Sequence, residues 1–479
     1  MRLTSNIKKT ISYLKKNGIK PTYYAAKERA TQLKSTNYNY IPPSDETINN
    51  QRELSSEKIC TFSIVVPVYN PNSEHLKAMI ESVINQSYPH FELILTIAET
   101  NTDEITHVIK SFNDNRIKPH HLTENKGISA NTNEALDLTT GDYIGLLDHD
   151  DLLTPDALFE IAQKINEATI QNIKPAFLYS DEDKFDGQNY FEYHSKPKLN
   201  LDLILSNNYI CHFLVMRRDI IQILKLRTEY DGAQDYDLCL RAISLLMDES
   251  INPNNEVKNS YALGKAQDIK ASKTQLSLTH VKNSIIHVNK VLYHWRTHPA
   301  STAENPGSKM YAYEAGKRAI EDFLRNRGLN AEVHHTRHLG FYRIEYIPDI
   351  FTQRPEVGVI GGKLLNRQNK ITGGIYLADG TNPYEGLHKE YSGYMHRASL
   401  MQEAEAVDIR VMKISEQVKD IFEEVVGQPY LENKNNGRYD WRNGFKNEVD
   451  FKKISIQFCE KIRTAGYTIV WNPQLIEKL

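Results

Sequence analysis

Three acids within four residues, Asp148, Asp150 and Asp151, follow directly on the apolar run Tyr143-Ile144-Gly145-Leu146-Leu147. A strand ending there places Asp148 and Asp150 on one side, because strand side chains alternate with period two. Two hard oxygen donors at that spacing suit Mg2+ or Mn2+, which fill their remaining positions with water and substrate phosphates. The same stretch also reads as an acidic turn capping the next helix, with Thr154 or Asp151 as N-cap and Pro155 in the first turn. The residues alone leave both readings open.

The elements that must position these acids are legible upstream. Phe62-Ser63-Ile64-Val65-Val66-Pro67-Val68-Tyr69-Asn70 is a nearly continuous apolar run, the pattern of a strand buried on both faces of a parallel sheet. A helix over 73–86, a strand over 91–97, a helix over 103–112 and a strand over 117–120 are expected to follow. Strands alternating with helices imply βαβ units and a doubly wound α/β sheet, in which ligands sit beyond the strand carboxyl ends. The turn after the first strand, Tyr69-Asn70-Pro71-Asn72, carries neither the GxGxxG nor the Walker A pattern, which argues against dinucleotide and P-loop chemistry. Asn125-Lys126-Gly127 opens another helix, whose N-terminus suits either an anionic ligand or a plain helix entry.

The chain has 479 residues, a net charge of -3, 25% charged and 40% hydrophobic residues. These values describe a globular protein of two to three domains and give no sign of a nucleic-acid partner. Cys60, Cys211, Cys239 and Cys459 are too scattered for a zinc site or a disulfide framework and fit a reducing compartment. No signal-like segment and no apolar stretch long enough to span a bilayer stands out, so the expected location is cytoplasmic. Residues 1–35 form a basic arm in which Glu28 is the lone acid. With Ile7, Ile11, Leu14 and Ile19 near helical spacing, residues 1–34 suit peripheral contact with the inner face of an anionic membrane, or a basic helix docked on the acidic body. A polar linker, 36–58, follows, then a first domain over 59–340 and a second over 341–479.

Val66-Pro67-Val68-Tyr69-Asn70, Asn125-Lys126-Gly127, Leu147-Asp148-His149-Asp150-Asp151, Tyr179-Ser180-Asp181-Glu182-Asp183-Lys184, Gly232-Ala233-Gln234-Asp235-Tyr236-Asp237 and Tyr293-His294-Trp295-Arg296-Thr297-His298 together resemble the ordered motifs of family 2 glycosyltransferases. The likeness covers about residues 60–335 and is greatest with the bacterial branch that builds O-antigens, capsules and cell-wall polysaccharides. It implies a GT-A fold, an α/β nucleotide-diphospho-sugar transferase domain. It further implies inverting, cation-assisted transfer from a UDP- or dTDP-sugar to a glycolipid or polysaccharide acceptor. Residue by residue, it implies that Asp235 is the base and that Asp148, Asp150 and His294 hold Mn2+ or Mg2+. Pro67, Tyr69, Asn70, Glu99, Asn125, Lys126, Gly127, Asn131, His149, Arg296 and His298, with Asp148, would line the donor. Asp181-Glu182-Asp183-Lys184 reads as the end of another apolar strand, Ala176 to Tyr179, and the resemblance implies that Asp181, Glu182, Asp183 and Gln234 face the sugar and acceptor.

Three features depart from the family pattern or extend beyond it. Relatives commonly end the second strand in an Asp-Asp-Gly-Ser stretch that reads the base, whereas this chain has Ile97-Ala98-Glu99-Thr100, which makes Glu99 the substitute. A polar segment over 248–283 lengthens the path between the base and phosphate motifs. Residues 341–479 form a smaller α/β half-domain: Val357–Leu365 and Tyr467–Pro473 echo the first domain, but with no opening strand of its kind and no DxD. That half is expected to be noncatalytic, with Glu448 and Asp450 as structural remnants. His212, in Asn208-Tyr209-Ile210-Cys211-His212, also matches the family pattern, but a satisfied core histidine is the more frequent outcome for such a residue. A noncatalytic carbohydrate-binding or assembly subunit and a nucleotidyltransferase are the rival readings.

Overall fold

The computed structural model describes residues 10, 11, 13–15, 17–32, 38–98, 103–251, 271–297, 310–434, 436–445 and 449–479. Glu99, His298, Glu448 and most of the 248–283 insertion lie outside the described residues.

Nine strands form the main sheet: β1 (Phe62–Val68), β2 (Phe91–Ile97), β3 (Ile117–His121), β4 (Tyr143–Leu146), β5 (Leu152–Leu153), β6 (Phe177–Phe185), β7 (Tyr190–His194), β8 (Leu214–Arg217) and β9 (Ile285–Arg296). The order is β3-β2-β1-β4-β8-β6-β9-β5, with β7 paired to β6. The first four strands are parallel, with Phe62 opposite both Phe91 and Tyr143. β8 then runs antiparallel to β4 and β6. This reversal brings the residues that enter β8 beside those that leave β4.

Both faces of the sheet are covered, which explains the unbroken apolar strands. Ile64, Val66 and Val68 pack with Leu76, Met79, Leu158 and Ile161 on one side. Their neighbour Val65 joins Ala135, Ile220 and Leu238 on the other. The helix Ser73–Ile84 starts where Asn72 accepts a hydrogen bond from the His75 amide at 3.0 Å, a side-chain cap on an otherwise unpaired donor.

Two expectations change. Asp181-Glu182-Asp183-Lys184 does not end its strand: β6 continues through Phe185, held by β9 on one side and β7 on the other. The expected boundary at 340 falls inside a two-stranded hairpin, Ala331–His335 with Tyr342–Tyr346. Val333, Tyr342 and Ile344 of that hairpin belong to the main core.

The C-terminal unit is a smaller α/β layer in which Val357–Leu365 lies parallel to Thr468–Lys478 and antiparallel to Met412–Ile414. Its own core includes Trp471, Phe422 and Phe458. Val357, Leu400, Met401 and Val470 instead join the main core, so apolar packing continues from one unit into the other. At the same seam Arg354 pairs with Asp202 at 2.5 Å and with Glu356 at 2.8 Å, all three buried. No described helix is long and apolar enough to cross a membrane.

Candidate active site

The carboxyl end of β4 is where the chain gathers its chemistry. Leu147 donates its amide to the Val65 carbonyl at 3.1 Å, and the chain then turns through the acids, with the Asp151 amide on the Asp148 carbonyl at 3.2 Å. Because β8 is antiparallel to β4, with Gly145 opposite Val215, His212 arrives beside Asp148. A ligand atom from each of Asp148, Asp151 and His212 lies within 4.8 Å of the others. Two carboxylate oxygens and an imidazole nitrogen form a donor set that fits Mn2+ and, less well, the more strictly oxygen-seeking Mg2+. His212 is itself fixed by stacking on Tyr293, with ring centroids 4.5 Å apart and planes 9° from parallel.

Asp151 is 1% exposed. It accepts hydrogen bonds from the Tyr293 hydroxyl at 2.5 Å and from the Arg296 amide at 2.6 Å. Burial, reinforced by the charges of Asp150 and Asp148, raises its carboxyl well above the ordinary aspartate range. Arg296 folds back so that its Nε donates to the Asp150 carbonyl at 2.6 Å, with the guanidinium 5.0 Å from the centre of the Phe185 ring. The HWR stretch therefore braces the acidic loop from behind.

Asp235 sits at the N-terminal turn of the helix Gln234–Ile251. Its carboxylate accepts a hydrogen bond from Asn208 Nδ2 at 2.8 Å. Burial raises its pKa above the ordinary aspartate value against the opposing pull of His212 and the Asn208 bond. Asp148 adds a further upward push, which places the two carboxylates in one electrostatic environment. Gln234 turns back on its own loop, accepting from the Gly232 amide at 2.7 Å.

On the donor side, His149 Nδ1 lies 3.3 Å from the Pro67 carbonyl, which ties the acidic loop to the end of β1. Tyr69 and Asn70 are exposed just beyond. Asn125 accepts from the Gly127 amide at 3.0 Å and from Asn131 at 2.8 Å, while Asn131 accepts from the Lys126 amide at 3.2 Å. Asp231 reaches across to the Ser129 amide and hydroxyl. Gly127 is required there: its φ is +93° and a Cβ would fall 2.8 Å from Asp231 Oδ2. The Asn125–Asn131 turn is thus linked to the segment that leads into Asp235.

The remaining sites form a separate row. His294 is buried, with Nδ1 2.6 Å from Asp183 Oδ1, and is not among the three grouped ligand residues. The other Asp183 oxygen accepts from the Tyr38 hydroxyl at 2.7 Å. Asp181 pairs with His287 at 2.7 Å and accepts from Tyr193 at 2.6 Å. Burial opposes ionisation of Glu182, but Lys196, His194 and His212 outweigh it and hold its carboxyl well below the usual range. His212 is legible as a family match but reads as a core residue, whereas Asn208, Tyr293 and the linker tyrosines Tyr38 and Tyr40 carry no local signal of such a role. Tyr40 packs edge-on against His294 at 4.5 Å, a contact between positions over 250 residues apart.

The family model for glycosyl transferase family 2 matches residues 63–224, the segment from β1 through the helix after β8. The chain carries a glycosyl transferase family 2 domain. Among its relatives, an uncharacterized protein of Sinorhizobium fredii is 36% identical over 267 residues, 55% of this chain and 25% of that protein. An O-antigen biosynthesis protein of Myxococcus xanthus is 29% identical over 57% of this chain and 18% of its own length. A putative colanic acid biosynthesis glycosyl transferase of Escherichia coli is 30% identical over 38% of this chain and 66% of its own length. The chain thus spans a quarter or less of the length of the first two relatives.

Proposed function

We propose that this family 2 domain is an inverting glycosyltransferase. It takes a sugar from a UDP- or dTDP-sugar and places it on a lipid-linked or growing cell-surface polysaccharide. The observation that carries the reading is the convergence of Asp148, His212 and Asp235 beyond the end of β4. An acceptor hydroxyl attacks the sugar's anomeric carbon, its proton passes to Asp235, and the bond to the nucleoside diphosphate breaks on the opposite side. A carboxylate with a raised pKa is suited to take that proton, because the driving force for transfer to it is larger. Asp148, Asp150 and His212 would hold Mn2+ or Mg2+, and Asp151 would fix their loop. The ion, when bound, neutralises charge on the leaving diphosphate. The names of the O-antigen and colanic acid relatives support the polysaccharide reading.

Replacing Asp235 with Asn is expected to abolish transfer across a panel of nucleotide sugars while Mn2+-dependent UDP binding persists in calorimetry. Near-normal turnover would remove Asp235 from the base role.

The arm supports peripheral membrane attachment as part of the same proposal. Ile11, Leu14 and Ile19 are 47%, 39% and 81% exposed, and exposed Lys15 and Lys20 lie on either side of the helix break at Gly18, with Lys20 3.6 Å from Glu390. Each basic residue near an anionic surface contributes about 1 kcal/mol, so binding should be weak and salt-sensitive. Co-sedimentation with phosphatidylglycerol vesicles at low salt, lost at 0.5 M salt, is the expected result; no pelleting at low salt would refute it.

A further inference from the structure

A second cleft lies away from the acidic loop, where the N-terminal helix Ile19–Gln32 meets the C-terminal unit. It encloses about 350 Å³ and is lined chiefly by Tyr23, Tyr24, Lys27, Lys370, His388 and Tyr391. Tyr24 stacks on His388 with centroids 4.5 Å apart and planes 10° from parallel. Tyr23 and Tyr391 stand edge-on to Tyr24 at 5.3 and 6.1 Å. The helix is fixed in place by a buried acid: Glu28 accepts from the Ser392 amide at 3.0 Å, the Ser392 hydroxyl at 3.1 Å and the Gly393 amide at 2.6 Å. The cleft is therefore built from segments at opposite ends of the sequence and held by a specific polar lock.

Its chemistry is aromatic and basic at once. Lys27 and Lys370 line it, and Lys20 pairs with Glu390 at its edge. Burial pushes the His388 imidazole down, with Glu390 opposing that push and Lys389, Lys20 and Lys27 adding to it. Bidentate phosphate recognition uses arginine forks, and a helix N-terminus offers another anion seat; this cleft has lysine point charges and neither of those. Flat ring faces beside ammonium groups instead match a sugar ring, whose C–H face is apolar, carrying a carboxylate. The volume lies within the ~300–1,000 Å³ usual for ligand pockets.

The cleft also communicates with the transfer domain. Immediately after the Glu28 lock, Tyr394 donates its hydroxyl to the Tyr193 carbonyl and accepts from the Ser195 amide, both at 2.8 Å. Tyr193 in turn donates to Asp181 at 2.6 Å. The path from the cleft thus leads to the acids on β6.

We propose that this cleft binds an acidic segment of the acceptor glycan, a sugar chain bearing carboxylates, and holds it beside the transfer domain. The inference rests on the polysaccharide-acceptor reading above, and its test is separable from that reading. Calorimetry on the full chain would compare tri-galacturonate with neutral maltotriose and with inorganic phosphate. Tri-galacturonate is expected to bind at least tenfold more tightly than either. Lys370→Glu, Lys27→Glu and Tyr23→Ala, all at exposed positions, should each weaken it at least tenfold while leaving Mn2+-dependent UDP binding unchanged. Asp235→Asn should leave tri-galacturonate binding intact even where it abolishes transfer. Equal binding of maltotriose, equal binding of phosphate, or no binding of tri-galacturonate by protein that still binds UDP would overturn the proposal. So would unchanged affinity in the two lysine variants. Loss of phosphatidylglycerol vesicle binding in those variants, without any tri-galacturonate binding, would reassign the cleft to a lipid headgroup.

Discussion

Asp150 and Asp151 are adjacent acids with opposite expected roles, and separate substitutions distinguish them. Asp151 is buried and accepts from Tyr293, which is fully buried, and from the Arg296 amide. Asp151→Ala strands both donors. Each buried unsatisfied donor costs about 1–3 kcal/mol, so the variant should lose about 2–6 kcal/mol and the loop should loosen. Asp150 is only half-buried; its backbone carbonyl accepts from Arg296, a bond any side chain retains, and its carboxylate attracts Arg296 while repelling Asp151. Asp150→Ala should cost less stability than Asp151→Ala, because it strands no buried donor of the Asp151 kind, while Mn2+-dependent UDP binding falls at least tenfold, about 1.4 kcal/mol. Urea unfolding gives the first quantity and calorimetry of UDP with and without Mn2+ the second. If Asp150→Ala binds normally while Asp151→Ala is stable and loses metal, the assignment is reversed: the cation would belong to Asp148, Asp151 and His212, as their proximity alone suggests.

Two further outcomes are expected. Arg354→Met leaves Asp202 and Glu356 buried without their shared cation; breaking such a pair from one side costs about 3–5 kcal/mol. A loss below 1 kcal/mol in urea unfolding would show that this seam does not hold the units together. His338 and His396 stack at 3.9 Å. Burial, with Arg337 nearby, pushes them down to about 3 and about 4. Both are neutral in the fold and charge near pH 6.5 when unfolded. Their contribution is therefore complete above pH 6.5 and is lost as pH falls toward 4, at up to about 1.4 kcal/mol per pH unit for each. His338→Phe/His396→Phe should flatten the pH dependence of melting between 6.5 and 5 relative to the parent. An unchanged slope would reject the linkage.

The α/β order was readable because buried parallel strands and amphipathic helices leave strong local patterns. β2 spans the expected Phe91–Ile97, and the C-terminal strand spans the expected Val357–Leu365. The acids at the end of β4 were readable for the same reason. What local pattern does not contain is which strands pair. His212 looks like a core histidine until β8 is seen to run antiparallel to β4, and only then does its ring reach Asp148. The acids of β6 misled in the opposite direction. A cluster of charge looks like a strand end, yet Asp181, Glu182 and Asp183 are accommodated inside a sheet because His287, Lys196 and His294 arrive from distant sequence to pair them. Burying three carboxylates is tolerable only with such partners. His294 belongs to that structural balance in this conformation, which is why a residue read as a metal ligand is found on Asp183.

The two halves of the chain also show why one acid at a helix start differs from another. Asp450 lies at the start of the helix Phe451–Thr464 and accepts from the Lys453 amide at 3.0 Å. Its charge is spent on a backbone donor of its own helix, the ordinary work of an N-cap. Asp235 also accepts from the Tyr236 amide of its own helix, but it is held from outside by Asn208 as well and lies in the field of His212 and Asp148. An acid at a helix start is thus a plain cap in one unit and, in the other, a carboxylate that shares its field with His212 and Asp148. The difference comes from β8, whose reversal delivers His212 to the first unit. In the C-terminal unit, no metal-binding group of this kind occurs among the described residues. The proposed chemistry is placed in the first unit, which the second unit meets through the polar seam, the shared core and the cleft it lines with the N-terminal helix.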